Sequence, residues 1–137
     1  MRRHPVFLAL SAVTTGRVLL VLAALVLGGC SDQGPVSGPG TLTATVAGPN
    51  GAEGGAVIFL PGSGAGAVSA VGGANVFSDT SDRGTRIVVI HPEGGDLAFR
   101  VAVPDTTEPP SWIIEQVAGP DDALRGDLSV YGLEFAR

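Results

Sequence analysis

Reactive side chains are sparse in this sequence, and their spacing limits the chemistry they can share. Cys30 is the only cysteine, so no disulfide can form within the chain. The two histidines are His4 and His91. A zinc or copper site is built from several His or Cys ligands, and one thiol with two distant imidazoles does not supply them. All eight basic residues are arginine. The absence of lysine excludes a P-loop, whose lysine reaches the phosphates, and excludes Schiff-base catalysis. Ser63 sits in the run Gly62-Ser63-Gly64-Ala65-Gly66. A nucleophile elbow needs glycine two positions before the serine, where Pro61 stands, and the dinucleotide pattern fails at Ala67. The run reads as a flexible loop.

Four further groups carry alternatives. His91 has the chemistry of a general base, with Asp79 or Asp82 to orient it, but no nucleophile is placed beside it. The stretch His91-Pro92-Glu93-Gly94-Gly95 reads more simply as a turn at a strand end. Asp79, Asp82, Asp121 and Asp122, with Glu93 and Asp96, are candidate calcium ligands, since calcium takes several carboxylate and carbonyl oxygens. EF-hand spacing is absent, and solvated loop acids are the simpler reading. Arg125-Gly126-Asp127 spells the integrin-binding tripeptide, which three residues match by chance. Trp112 and Tyr131 are the polar aromatics. Exposed on a sheet face they would stack on a sugar or a peptide; the alternative is core or strand-pair packing. No cofactor is implied.

Charge divides the chain at Cys30. Three arginines precede it, while all thirteen acids follow it, so residues 30–137 carry a formal balance of −8. Such a surface repels nucleic acid and anionic headgroups, so neither is an expected partner.

The segment before Cys30 has its own pattern. Met1-Arg2-Arg3-His4 is a positive start, and Val18 to Leu27 is unbroken apolar sequence. As a helix those ten residues span roughly 15 Å, about half of a bilayer's hydrocarbon core. This fits the apolar region of a signal peptide. A single uncleaved anchor from Pro5 to Gly29 would place Arg17 mid-membrane, at about 2.5–3.5 kcal/mol. Leu27-Gly28-Gly29-Cys30 resembles a bacterial lipobox. The resemblance implies cleavage between Gly29 and Cys30 and a diacylglycerol thioether on the Cys30 sulfur. It also implies an acylated, often palmitoylated, new amino terminus; two or three chains anchor stably where one is marginal. Residue 31 is Ser rather than Asp, which by the same resemblance favours the outer membrane in a Gram-negative cell.

Three regions follow: a signal segment at 1–29, a lipidated cysteine with a flexible linker at 30–40, and a domain at 41–137. The linker, SDQGPVSGPG after the cysteine, lacks apolar periodicity. Beyond it the pattern is short strands and turns. Leu42, Ala44 and Val46 alternate with threonines, and Ala56 to Leu60 is a continuous apolar strand stopped by Pro61-Gly62. Ala67–Val71 and Asn75–Ser78 flank Gly72-Gly73, the signature of a tight hairpin. Thr85–His91, Leu97–Val103, Trp112–Ala118 and Leu128–Phe135 complete the set, with one short helical turn expected at Pro120–Leu124. About eight short strands with Gly and Pro punctuation predict an all-β fold, a compact antiparallel β-sandwich. In strand order, the apolar strand ending at Leu60, the hairpin around Gly72-Gly73 and the strand Phe99-Arg100-Val101-Ala102-Val103 resemble a cohesin-like or Ig-like envelope module. That resemblance implies a recognition domain, in cohesins one that binds dockerins. The expected function is therefore a lipid-anchored, non-enzymatic binding or structural module with an envelope protein or glycan as partner. A calcium-dependent carbohydrate- or cohesin-type recognition domain is the alternative, and a hydrolase using His91 is the third.

Overall fold

A computed structural model describes residues 36–137. Gly29, Cys30 and the segment before them lie outside the described residues. Eight strands run in chain order: β1 Gly40–Ala47, β2 Glu53–Pro61, β3 Val68–Ala70, β4 Asn75–Ser81, β5 Gly84–Gly95, β6 Ala98–Val103, β7 Ile113–Ala118 and β8 Gly132–Ala136. They form two four-stranded antiparallel sheets, ordered β3-β6-β1-β8 and β4-β5-β2-β7. The expected all-β sandwich is what the chain forms.

Alternation places the core. Because side chains on a strand point to opposite faces, alternate residues in the middle of β1, β2, β5 and β6 are buried. Leu42 and Ala44, Ala56, Ile58 and Leu60, Ile87 and Val89, and Phe99 and Val101 meet between the sheets with Ile114, Val117 and Leu133. Each large apolar side chain taken from water there contributes about 1.5–3 kcal/mol. Thr85 is the polar exception within β5. It is 1% exposed, and its hydroxyl pairs with the Thr80 hydroxyl across the β4–β5 ladder at 3.1 Å.

The strand connections depart from the sequence reading at Gly72-Gly73. Val68–Ala70 pairs with β6, whereas Asn75–Ser81 pairs with β5. The two segments therefore belong to different sheets, and the glycines carry the chain across the sandwich rather than round a hairpin. Among the described residues, only β4 and β5 follow one another within a sheet. Gly84 closes that turn at a φ of 150°, in a conformation only glycine adopts readily, and a Cβ there would strike the Leu60 carbonyl. The expected helical turn at Pro120–Leu124 is instead a turn closed by a bridge between Ala118 and Leu124. The last strand begins only at Gly132.

The linker also ends sooner than expected. Gly38 donates its N–H to Asp105 Oδ1 at 3.2 Å and accepts from the Thr106 N–H at 2.9 Å. A side chain at Gly40 would come within 2.6 Å of the Thr106 methyl. Residues from Gly38 onward are thus part of the domain.

Because consecutive strands join through short connections and alternate in direction, the loops gather at two ends. The end where the chain enters at Gly40 carries the loops after β2, between β4 and β5, and after β6. The opposite end carries residues 48–52, 71–74, 96–97 and 119–131. These are called below the entry end and the far end.

Candidate functional site

The outward surface of the β4-β5-β2-β7 sheet is apolar over much of its extent. Since Ile58, Leu60, Ile87 and Val89 point inward, Val57, Phe59, Val88 and Ile90 point out. The register sets them side by side: Val57 opposite Val88, Phe77 opposite Val88, and Phe59 opposite Ile113. Phe77 is 62% exposed, Ile113 52%, Ile90 40% and Leu124 68%. Where β2 has Gly55 and β7 has Ala118, the missing side-chain bulk leaves a dent of about 160 Å³, walled by Ile90, Val57, Val88 and Leu124. The sheet face is roughly 19 Å across its four strands and roughly 20 Å along them. That is comparable to the largest apolar patch of an ordinary monomer, which is often functional.

One end of this face is polar. Arg86 lies over the Phe59 ring, 5.9 Å from its centroid. It forms a two-pronged ion pair with Glu115 at 2.9 and 3.0 Å. The Glu115 hydrogen bonds and charge raise the Arg86 pKa, and the Arg86 hydrogen bonds hold the Glu115 carboxyl below its ordinary value. A groove of about 240 Å³ bordered by Asp79, Ser81, Arg83, Arg86 and Glu115 runs beside them at the entry end. The pair is solvent-facing, so it orients side chains more than it stabilises the fold.

Behind the far end lies a buried polar cluster. Glu53 is 3% exposed. Arg125 grips its carboxylate through Nε at 3.0 Å and Nη2 at 2.8 Å, Tyr131 donates its hydroxyl to Oε1 at 2.5 Å, and Asn50 donates to the same oxygen at 3.2 Å. Asn50 also donates to the Tyr131 oxygen at 2.7 Å. Burial pushes the Glu53 pKa up, but the hydrogen bonds from Arg125, Tyr131 and Asn50 outweigh it and hold the carboxyl below the usual range. The cluster joins the β1–β2 turn, β2 and the long 119–131 loop. Every charge in it is paired, so it acts as a fastener rather than as a reactive centre.

The sequence candidates separate in space. Asp79 and Asp82 stand at the entry end, while Asp121, Asp122, Glu93 and Asp96 stand at the far end. They do not converge on one cation, and among the described residues no group of three or more His, Cys, Asp or Glu side chains could hold a metal ion. His91 belongs to β5 at the far end, opposite the end of Asp79 and Asp82, so neither aspartate orients it. Its ring is wedged between two glycines: a Cβ at Gly95 would lie 2.8 Å from Nε2, and one at Gly73 3.1 Å from it. Its Nδ1 is buried without a hydrogen-bond partner among the described residues. Tyr131 is 6% exposed and spends its hydroxyl on Glu53, so it offers no ring face for stacking. Trp112, 38% exposed, stands just ahead of β7 at the entry end. Arg125 of the Arg-Gly-Asp tripeptide is committed to Glu53, and Asp127 Oδ1 accepts from the Ser129 N–H and hydroxyl at 2.9 and 2.6 Å. Glu53, Asn50 and Arg125 as a cluster were not legible in the sequence, because they lie 72 positions apart across Glu53 and Arg125.

Comparison with known proteins returns no match to a family model, to a curated protein or to a solved structure.

Proposed function

We propose that the mature chain is a lipid-anchored protein of the bacterial cell envelope, on the outer membrane in a Gram-negative cell, whose β-sandwich binds another envelope protein without catalysing a reaction. The observation that carries this reading is the solvent-exposed apolar face of the β4-β5-β2-β7 sheet around Phe77, Ile90, Ile113 and Leu124. A monomeric domain gains nothing from leaving such a face wet, whereas a partner that covers it gains the burial. The chemistry favours a protein over a glycan. The face is dented and mostly aliphatic, with Phe77 and Phe59 set among Val57, Val88, Ile90 and Ile113 rather than forming a flat aromatic platform, and Tyr131 is withdrawn from the surface.

The lipobox resemblance at Leu27-Gly28-Gly29-Cys30 supplies the address. From Cys30 to Val36, whose carbonyl accepts a hydrogen bond from the Thr106 hydroxyl, the chain reaches at most roughly 22 Å. A domain on so short a lead meets partners held at the same membrane. The test is photocrosslinking in intact envelopes. A benzophenone amino acid at Ile90 or Ile113 is expected to give a discrete adduct with one envelope protein, and the same probe at Thr41 or Glu134 on the other sheet is expected to give none. Equal labelling from both sheets removes the binding face. Mass spectrometry of the mature amino terminus tests the anchor separately: a chain that still begins at Met1, with a free Cys30 thiol, removes it.

A further inference from the structure

The four sheet edges of the sandwich are not alike. β3 is three residues long. β7 is interrupted by a bulge opposite Val57 and Ile58 and is bridged at Ala118 by Leu124. β8 is five residues long and carries Glu134. β4 runs for seven residues in unbroken register with β5, from Asn75 opposite Ile90 to Ser81 opposite Gly84. All of β4 except Val76 is exposed. It has no proline and no bulge, and its one charged residue, Asp79, leaves the Asn75–Ser78 half of the edge uncharged.

We propose that β4 is a self-association edge, along which two copies of the chain pair antiparallel about a two-fold axis through Phe77. The backbone decides which groups are available. The two-residue turn at Asp82-Arg83 makes Ser81 and Gly84 a hydrogen-bonded pair, and in an antiparallel ladder such pairs recur at every second residue. Asn75, Phe77, Asp79 and Ser81 therefore spend their backbone groups on β5. Val76, Ser78 and Thr80 turn theirs to the open edge.

Side-chain chemistry selects the register. A register that keeps each sheet face continuous pairs odd residues with odd. Centring the axis on Phe77 sets it against Phe77 of the second copy and Asn75 against Asp79. Val76 then exchanges hydrogen bonds with Ser78 of the second copy. The phenylalanines meet in a non-hydrogen-bonded pair, where side chains approach most closely. Centring on Ser78 instead would set Phe77 against a carboxylate, and centring on Asp79 would set two carboxylates together. In the favoured register the large exposed apolar side chain of the edge, Phe77, is covered by its own copy, and the two apolar sheet faces become one. An edge contact of this length is small, and its affinity belongs with transient interfaces.

The experiment uses the full-length chain with Cys30→Ser in mild detergent. Sedimentation is expected to show a concentration-dependent dimer. Ser78→Pro removes an outward N–H and leaves the β5 ladder intact, so the variant is expected to fold, by circular dichroism and urea midpoint, while dimerisation weakens at least tenfold. Oxidation of the Phe77→Cys variant in the same background is expected to yield a disulfide-linked dimer, because facing residues of a non-hydrogen-bonded pair lie within disulfide range. Ser78→Cys, offset by one residue, is expected to crosslink poorly. A chain that stays monomeric at millimolar concentration overturns the proposal, as does a dimer indifferent to Ser78→Pro. Preferential crosslinking through residue 78 overturns the register. Monomers that take up a strand of a different envelope protein along β4 overturn the second copy as the occupant.

Discussion

The Tyr131 hydroxyl donates a 2.5 Å hydrogen bond to Glu53 Oε1 across 78 positions of sequence, and both residues are buried. This contact fixes the start of β2 to the segment leading into β8. Burial and the neighbouring Glu53 carboxylate both push the Tyr131 pKa up, so the phenol stays a donor. Tyr131→Phe keeps the ring and removes the donor, leaving a buried carboxylate oxygen with one partner fewer. The expected loss is about 2 kcal/mol, read as a lower urea midpoint with an unchanged slope.

Acid should unfold the domain through the carboxylates that the fold holds ionised. Hydrogen bonds from Arg125, Tyr131 and Asn50 outweigh burial at Glu53; the Thr107 hydroxyl and backbone N–H lower Asp105; Arg86 lowers Glu115; Ser129 lowers Asp127. In each case the folded pKa lies below the unfolded one. The stability they contribute is therefore fully present above the ordinary carboxylate range of about 4, and is lost as pH falls from there through the folded values. Urea midpoints are expected to be level between pH 7 and 5 and to fall below about 4.5. Glu53→Gln is expected to start from a lower midpoint and to fall less steeply.

Gly48 follows β1 directly and abuts the Tyr131 ring, so that a Cβ there would collide with the ring edge. The ring cannot retreat without giving up Glu53. Gly48→Ala should cost about 1–3 kcal/mol. Combined with Tyr131→Phe it should cost less than the sum of the two, since the ring is then free to shift. A double-mutant cycle on urea midpoints reads the coupling.

Calcium should leave the thermal midpoint unchanged. Asp79 and Asp82 are separated from Asp121 and Asp122 by the length of the sandwich, so the acids that sequence grouped together act at different ends. Differential scanning calorimetry with calcium and then with chelator checks this. A midpoint that rises with calcium and returns with chelator would restore a cation-dependent recognition role.

Much of the architecture was legible because strand burial has a period of two. Phe99, Val101 and Val103 announced their inward face by alternation, and the pattern Ala56 to Leu60 announced a strand covered on one side and apolar on the other. The outward half of that continuous apolar strand, Val57 and Phe59, lies on the exposed sheet face of the proposed binding surface. Period and composition do not say whether an outward Val57 or Phe59 is covered, since that depends on what packs there. The Gly72-Gly73 error has a related cause. Two glycines permit a tight turn, but whether the flanking strands pair is decided by which neighbours offer an edge, and β6 and β5 offered theirs.

What the sequence determined by itself is local: the strand rhythm, the turns at Gly and Pro, the single thiol at Cys30 and the charge division around it. These follow from side-chain period, backbone freedom and counting, which need no partner in space. What only the tertiary structure decided is which distant residues meet. In the sequence Glu53 stood out in no motif, Arg125 belonged to a chance tripeptide and Tyr131 was open between stacking and packing; folding made them one buried cluster, because a carboxylate taken from water must find its donors wherever the chain brings them.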